Sequence, residues 1–320
     1  MADLPVPPDR TVSKQPVRSE LVPASDGLYY DRHRDMFVRK TSTTSIPRTP
    51  LSMCIAPIAK CNLRCRTCLS DSGPGGLSGE WPELRSVLEW MRPWAPVRLI
   101  WTGGEPTLYW GLADAIRMAT SMGSNSVVCT NASTRDPCGE LAGEFCYSVS
   151  IYGNSRATFL QETQRDHFSR FQENFDLLFR RNHKVVASIR VDQESKNRAL
   201  SYATWLTAYP IRKLTILNTR QRGRLVPDGT PLTNEELSEL GQQLAELSLP
   251  FPVVLPASNA PPDPRGGLIV VERPEKPDGI VVVNGTLCGS LAEARAIVDA
   301  AIPGNAALFA SENYIRGLDV

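Results

Sequence analysis

The chain has 320 residues, of which 42% are hydrophobic and 22% are charged, a globular composition that excludes wholesale disorder. A formal net charge of +1 excludes a global basic field that would attract nucleic acid or a membrane surface. No apolar run reaches the roughly 18 residues of a membrane span, and the N-terminus shows no apolar signal segment. We therefore expect a cytoplasmic protein that binds neither nucleic acid nor membranes.

The pattern of residues divides the chain into three regions. Residues 1–50 are rich in Pro, Arg, Ser and Thr and indicate an N-terminal arm or irregular extension. Residues 51–250 alternate strands with helices, and residues 251–320 form a C-terminal capping extension that begins with a proline-rich segment.

Hydrophobic periodicity places the elements of the central region. It predicts strands at 51–57, 97–101, 126–130, 146–152, 184–191 and 213–218. It predicts helices at 81–91, 112–122, 138–143, 167–181, 199–208 and 234–247. The C-terminal extension shows two strands within 268–290, joined by a turn at 277–279, and a last helix at 291–301.

Alternating strands and helices indicate right-handed βαβ units and a parallel sheet, so the fold class is α/β. An open doubly wound sheet and a (β/α) barrel both fit this pattern. In either fold, ligands bind at the carboxyl ends of the strands.

Three cysteines lie close together directly after the first strand of the central region, namely Cys61, Cys65 and Cys68. In a reducing compartment such a trio indicates metal or cofactor ligation rather than disulfides. Three thiolates can hold three irons of a [4Fe-4S] cubane and leave the fourth iron with an open coordination site. A zinc knuckle with a distant fourth ligand, or cysteines that only pack, are the alternatives.

A glycine-rich turn follows the next strand and therefore lies at the same edge of the sheet. It contains Gly103, Gly104, Glu105 and Pro106. Glycines let the backbone approach a ligand closely, and a carboxylate can accept hydrogen bonds from an ammonium group. Alone this motif indicates only a turn, but it comes one strand after the cysteines.

Together, CNLRCRTC and TGGEP resemble the radical SAM (radical S-adenosylmethionine) superfamily. Two later segments support the resemblance. One is Cys129-Thr-Asn131, and the other is VSIYG (149–153) followed by FSRFQENFDLLFRR (168–181), which is similar to the branch of the molybdenum-cofactor GTP cyclase and the peptide maturases. The resemblance implies a partial (β/α)6 barrel, a [4Fe-4S] cluster and S-adenosyl-L-methionine, which is cleaved reductively to a 5′-deoxyadenosyl radical that abstracts a substrate hydrogen. It also implies a flavodoxin- or ferredoxin-type electron donor.

The resemblance assigns roles residue by residue. The three clustered cysteines match the cluster ligands, and the GGEP turn matches the segment that binds the methionine ammonium. Three further residues are candidates for cofactor binding: Asn131, Ser150 and Arg190. Two positions depart from the family pattern, since Thr67 stands where an aromatic residue is common and Ala132 where glycine follows the asparagine.

The C-terminal extension lacks the cysteines of an auxiliary cluster, because Cys288 is the only cysteine after Cys146. We therefore expect no auxiliary cluster and a redox-neutral outcome. Cys288 is either a catalytic hydrogen-atom donor or a small packed hydrophobe.

Three arginines follow the sixth strand and are candidates for substrate binding at the barrel mouth: Arg220, Arg222 and Arg224. Guanidinium groups suit a carboxylate or phosphate. An ordinary solvated surface is the other interpretation.

These observations favour a radical SAM enzyme that acts on a small polar metabolite, such as a nucleoside, sugar or amino-acid derivative, in natural-product or antibiotic biosynthesis. Decarboxylation or epimerisation would be redox-neutral. The alternatives are a radical SAM maturase of a ribosomal peptide and, from another class, a non-catalytic zinc-stabilised binding protein.

Overall fold

The computed structural model describes residues 21–25, 28–39, 52–76, 78–134, 145–219 and 230–255, and three short segments at 268–270, 281–283 and 286–288. These residues form a large, mainly parallel sheet with helices, and a small antiparallel sheet.

The strands are β1 (Leu21–Ser25), β2 (Leu28–Asp31), β3 (Met36–Arg39), β4 (Ser52–Ile58), β5 (Arg98–Gly103), β6 (Asn125–Thr130), β7 (Phe145–Ser150), β8 (Lys184–Val191), β9 (Leu214–Asn218), β10 (Val253–Val254), β11 (Leu268–Val270), β12 (Val281–Val283) and β13 (Thr286–Cys288). The helices are α1 (Trp81–Met91), α2 (Leu112–Ser121), α3 (Arg156–Thr163), α4 (Phe168–Arg180), α5 (Lys196–Leu206) and α6 (Asn234–Glu246). The six strands predicted for the central region are confirmed as β4 to β9, and five of its helices are confirmed as α1, α2, α4, α5 and α6. The helices predicted at 138–143 and 291–301 lie outside the described residues.

Strand order decides between the two folds that the sequence left open. Strands β4 to β9 lie side by side in their order along the chain, and every neighbouring pair is parallel. Right-handed crossovers between strands in sequential order place all their helices on one face of the sheet, whereas a doubly wound sheet reverses its order at a switch point. The fold is therefore α/β with a partial barrel.

The two faces of the sheet bury different residues, as strand alternation requires. Tyr147 and Val149 of β7 belong to the large core that contains the helices. Cys146, on the opposite face, packs with Ile100 and Val127 in a small separate cluster. We call this second, concave side of the sheet the lumen.

The N-terminal region corrects one expectation. Instead of an irregular arm, the described residues 21–25 and 28–39 form the antiparallel sheet β1-β2-β3. The turn between β2 and β3 contacts the beginnings of two barrel strands. Asp35 forms an ion pair of 3.0 Å with Arg98, the first residue of β5, and Lys213, directly before β9, donates a hydrogen bond to the carbonyl oxygen of Asp35. The sheet therefore covers the end of the barrel opposite to the carboxyl ends of the strands.

Two further elements differ from expectation. Helix α3 is not predicted by periodicity, because only Phe159 among its apolar residues is buried. Its N-terminus has a capping box in which Ser155 and Thr158 satisfy each other's backbone amides. Within 268–290 the described residues form three short strands where two were expected, and the first of these, β11, continues the sheet parallel to β4. The boundaries at residues 50 and 250 stay a prediction.

None of the described helices is both long enough and apolar enough to cross a bilayer.

Candidate functional site

The site lies where β4 and β5 end, because parallel neighbours have their carboxyl ends at the same edge of a sheet. The segment after β4, residues 59–73, is called the cysteine loop below. Its backbone is bonded to the turn after β5: Gly104 N–H donates to Ile58 O at 2.7 Å, and Glu105 N–H donates to Lys60 O at 2.9 Å.

The glycines of this turn are required by the approach of two backbones. A Cβ on Gly103 would lie 2.2 Å from Ile58 O, and a Cβ on Gly104 would lie 2.2 Å from Lys60 O. Gly103 also has a φ of +115°, which side chains rarely allow. Any other residue would push the cysteine loop away from the end of β5.

A serine joins the same two segments. Ser70 Oγ donates to Gly103 O at 3.2 Å and lies 3.6 Å from Cys68 Sγ. Sequence reasoning missed Ser70, since a serine two residues after a cysteine is an ordinary loop residue.

The three clustered cysteines are shielded and each has a polar group directed at its sulfur. Cys61 and Cys65 are buried, and Cys68 is half-buried. Leu63 N–H donates to Cys61 Sγ at 3.4 Å, and Ser72 N–H donates to Cys68 Sγ at 3.3 Å. Burial raises the pKa of Cys61 and of Cys65 to about 12, so thiolates there need a neighbouring cation or metal.

The donor set of this loop, three thiols on one short segment, fits an iron–sulfur cluster. Within the part of the chain that the structure describes, no three His, Cys, Asp or Glu side chains are arranged to hold a single ion. In a cubane each cysteine binds a different iron, so the sulfurs need not converge on one point. Backbone N–H groups directed at the sulfurs are also typical partners of cluster thiolates.

Glu105 is buried and its carboxylate is engaged by donors from two strand ends. Oε1 accepts hydrogen bonds from Thr107 and from Thr130 Oγ1, the latter at 2.7 Å. Oε2 accepts from Asn131 N–H at 2.8 Å. Burial raises the pKa of Glu105, and these hydrogen bonds oppose that shift. Glu105 therefore ties β5 to β6, and its contact with a methionine ammonium stays a prediction.

Asn131, after β6, reaches the cysteine loop. Its Nδ2 donates to Asn62 Oδ1 at 2.9 Å and lies 3.7 Å from Cys61 Sγ. The next residue, Ala132, has a φ of +51°, a left-handed conformation that glycine adopts more readily than alanine. Sequence reasoning missed Asn62, although its place directly after the first of the three clustered cysteines was a usable signal.

Solved structures of other proteins share the fold of this chain. No protein-family model matches the chain, and no matching sequence was found among curated proteins. Streptococcus suis SuiB bound to S-adenosylmethionine matches with a TM-score of 0.62 and 11% identity, over 85% of this chain and 67% of that chain. SuiB bound to its precursor peptide SuiA gives the same TM-score at 12% identity. Native anSMEcpe with bound AdoMet and the Cp18Cys peptide has a TM-score of 0.54 and 14% identity, over 84% of this chain and 82% of that chain.

SuiB and anSMEcpe are radical SAM enzymes. The chain has the radical SAM fold. The partial barrel expected from the resemblance is thus confirmed.

Within this radical SAM barrel, Ser150 and Arg190 lie on the lumen face. Alternation along β7 and β8 puts them on the same side as Cys146 and Val186, and Ser150 is paired with Ser188 across the two strands. Both side chains are half-buried. Their contacts with the ribose and carboxylate of the cofactor stay predictions.

Tyr152, which follows β7, was not a sequence candidate. Its hydroxyl hydrogen-bonds Cys65, and together with the nearby charge of Arg190 it opposes the rise that burial causes in the pKa of that thiol. A tyrosine after a strand carries no sequence signal for this contact.

The remaining candidates lie away from this site or outside the described residues. Arg220, Arg222 and Arg224 belong to the latter group. The backbone of Cys288 lies in β13, the outermost strand, opposite Val281 of β12. It is three strands from β4, or about 14 Å at the usual strand spacing of about 4.8 Å. Its role as a hydrogen donor stays a prediction.

Proposed function

We propose that this chain is a radical SAM enzyme whose cysteine loop holds a [4Fe-4S] cluster through Cys61, Cys65 and Cys68. When bound, such a cluster supplies the electron that cleaves S-adenosylmethionine to methionine and a 5′-deoxyadenosyl radical. A flavodoxin- or ferredoxin-type protein is the proposed source of that electron.

The observation that carries this proposal is the bonding of the cysteine loop to the GGEP turn. Two backbone hydrogen bonds from Gly104 and Glu105 hold the turn against the start of the loop, at one edge of a radical SAM barrel. A cluster and a methionine bound at these two segments would be neighbours.

The surrounding side chains would tune and shield the cluster. The donors at Asn131 and Tyr152 are directed at Cys61 and Cys65, and hydrogen bonds to ligating sulfurs raise a cluster's reduction potential. The burial of both cysteines would keep water away from the sulfurs.

For the substrate, we favour a small polar metabolite and a redox-neutral reaction in natural-product biosynthesis. Beyond Cys146 and Val186, toward the carboxyl ends of β7 and β8, the lumen face carries Ser148, Ser150, Ser188 and Arg190, which are three hydroxyls and one guanidinium. Hydroxyls and an arginine suit a hydroxylated or carboxylated molecule. Decarboxylation and epimerisation both fit the expectation, from the single cysteine of the C-terminal extension, that no auxiliary cluster accepts an electron.

A peptide substrate is the second candidate, and a specific observation favours it. SuiB has been seen with its precursor peptide SuiA, and anSMEcpe with the Cp18Cys peptide. The third candidate is a zinc-stabilised binding protein, which the cysteine spacing alone would permit.

Anaerobic reconstitution followed by iron, sulfide and zinc analysis tests the central proposal. The wild-type chain should bind about four irons and four sulfides, and its spectrum should shift when S-adenosylmethionine is added. Cys61→Ala, Cys65→Ala and Cys68→Ala should each abolish both results. Cys54→Ala is the matched control, since Cys54 lies within β4 and should leave cluster content unchanged. Zinc without sulfide would overturn the proposal.

The two substrate classes separate in an assay of 5′-deoxyadenosine release. Purified enzyme is offered metabolites and, in parallel, short peptides encoded near its gene. Substrate-dependent release with metabolites alone supports the first class, and release with peptides alone supports the maturase.

A further inference from the structure

A second feature of the cysteine loop is an arginine whose charge is held by three carboxylates. Arg66 lies between Cys65 and Cys68 in the chain. Its Nη1 donates to Glu194 Oε2 at 2.7 Å, while Nη2 lies 3.8 Å from a carboxylate oxygen of both Glu162 and Asp192. Its side chain is 28% exposed and that of Asp192 only 3%.

The backbone around Arg66 also contacts the end of α3. Arg66 N–H donates to Glu162 O at 2.8 Å, and Arg64 N–H donates to Thr163 O at 3.1 Å. These carbonyls belong to the last turn of α3, where helical carbonyls lack partners within the helix. The cysteine loop therefore satisfies the end of α3.

The carboxylates are themselves held in place. Arg198 of α5 donates to Glu162 Oε1 at 2.7 Å. Asp192 Oδ1 accepts from Ser195 N–H at 2.8 Å and from Ser195 Oγ at 2.7 Å, which leaves Oδ2 facing Arg66. The arginine thus meets a fixed set of acceptors at the ends of α3 and β8.

A guanidinium suits this set because its two terminal nitrogens face different carboxylates: Nη1 bonds Glu194, while Nη2 makes no hydrogen bond but lies within ion-pair distance of Glu162 and Asp192. A lysine ammonium is a single point charge on a flexible stem. It could remain near Glu194 but could not at the same time place its charge beside Glu162 and Asp192.

We propose that Arg66 is a positioning residue: its guanidinium clamps the cysteine loop to Glu162, Asp192 and Glu194, and so sets the place of Cys65 and Cys68 relative to the ends of β7 and β8. Its consequence for cofactor binding rests on the proposed function. A misplacement of about 1 Å at a reacting site can cost about 100-fold in rate.

Two measurements on Arg66→Ala test the clamp. In the cluster-free chain, amide hydrogen exchange over residues 61–68 should become at least about 10-fold faster, because the loop loses its anchor. In the reconstituted chain, iron content should stay unchanged, since all three thiols remain, while the affinity for S-adenosylmethionine should fall about 10-fold or more.

Two variants serve as comparisons. Arg156→Ala removes another arginine–carboxylate pair on α3, with Asp166, whose side chains are 72% and 44% exposed; it should match the wild type in both measurements. Arg66→Lys keeps the charge but not the guanidinium group, so amide exchange over residues 61–68 should be as fast as in Arg66→Ala.

Exchange and affinity at wild-type levels in Arg66→Ala, or wild-type exchange in Arg66→Lys, would overturn the proposal. If Arg66→Ala does not fold, Glu194→Gln decides instead, because Glu194 is 58% exposed and its change should speed exchange in the same segment less strongly. Unchanged exchange in that variant would likewise overturn the clamp. A wild-type chain that assembles no cluster would contradict the proposed function, while the exchange measurement would still decide the role of Arg66.

Discussion

Asp35→Asn should strongly destabilise the protein. The carboxylate of Asp35 is buried with two cations: Arg98 Nη1 at 3.0 Å and Lys213 Nζ at 3.7 Å. It also accepts a hydrogen bond of 2.7 Å from the Tyr30 hydroxyl. Asparagine keeps the shape and tolerates the φ of +50° at this position, so the variant isolates the loss of charge.

The magnitude follows from burial. The side chains of Arg98 and Lys213 are 2% and 3% exposed, so neither cation can turn to water when the anion is removed. Leaving a buried charge without its partner costs about 3–5 kcal/mol. The matched control is Asp114→Asn, whose partner Arg117 is 64% exposed; such a surface pair is worth about 0.3–0.5 kcal/mol.

Urea unfolding of the cluster-free protein measures both changes, as the shift in midpoint multiplied by the slope. The effect of Asp35→Asn should persist at 1 M salt, where the Debye length is about 3 Å, because screening ions do not enter the buried site. A loss below about 1 kcal/mol would show that the β2–β3 turn does not hold the barrel through this charge cluster.

Three further predictions concern single residues. Glu105→Ala should leave the cluster assembled but weaken S-adenosylmethionine binding in titrations. It should also lower the free energy of unfolding by about 1–3 kcal/mol for each buried donor left without an acceptor, such as Thr130 Oγ1. Unchanged affinity would reduce Glu105 to a link between strands. The Thr233 N–H bond and the charge of Lys196 hold the pKa of Glu236 at about 2, below its unfolded value. The stability advantage of the wild type over Glu236→Gln should therefore be complete above about pH 4.5 and should disappear as the pH falls through about 2 in acid unfolding. If Cys288 is the hydrogen donor, Cys288→Ala should still cleave S-adenosylmethionine in the presence of substrate but accumulate off-pathway products, and wild-type product formed in D2O should gain one deuterium; normal product from the variant would return Cys288 to a packing role.

The sequence by itself determined the central βα units. Helix α4 repeats Phe168, Phe171, Phe175 and Leu178 at helical spacing, and all four are buried. Periodicity of this kind reports which face of an element will be covered, so the order and nearly all the bounds of β4 to β9 could be predicted. The neighbourhood of the cysteines and the GGEP turn also followed, because consecutive parallel strands end at one edge.

Tertiary structure decided the features that depend on partners distant in the chain. Arg66 and Glu194 are 128 positions apart, and Asp35 and Lys213 are 178 apart, so no local pattern marks either contact. The Glu105 carboxylate is a further case. The sequence predicts that it binds a ligand, whereas in the fold it accepts hydrogen bonds from Thr130 and Asn131 at the end of β6. Helix α3 was missed because it buries mainly polar surface against the cysteine loop, and hydrophobic periodicity detects only apolar burial. The choice of a barrel over a doubly wound sheet was likewise tertiary, since strand order is set by which edges pair and not by the residues within any one strand.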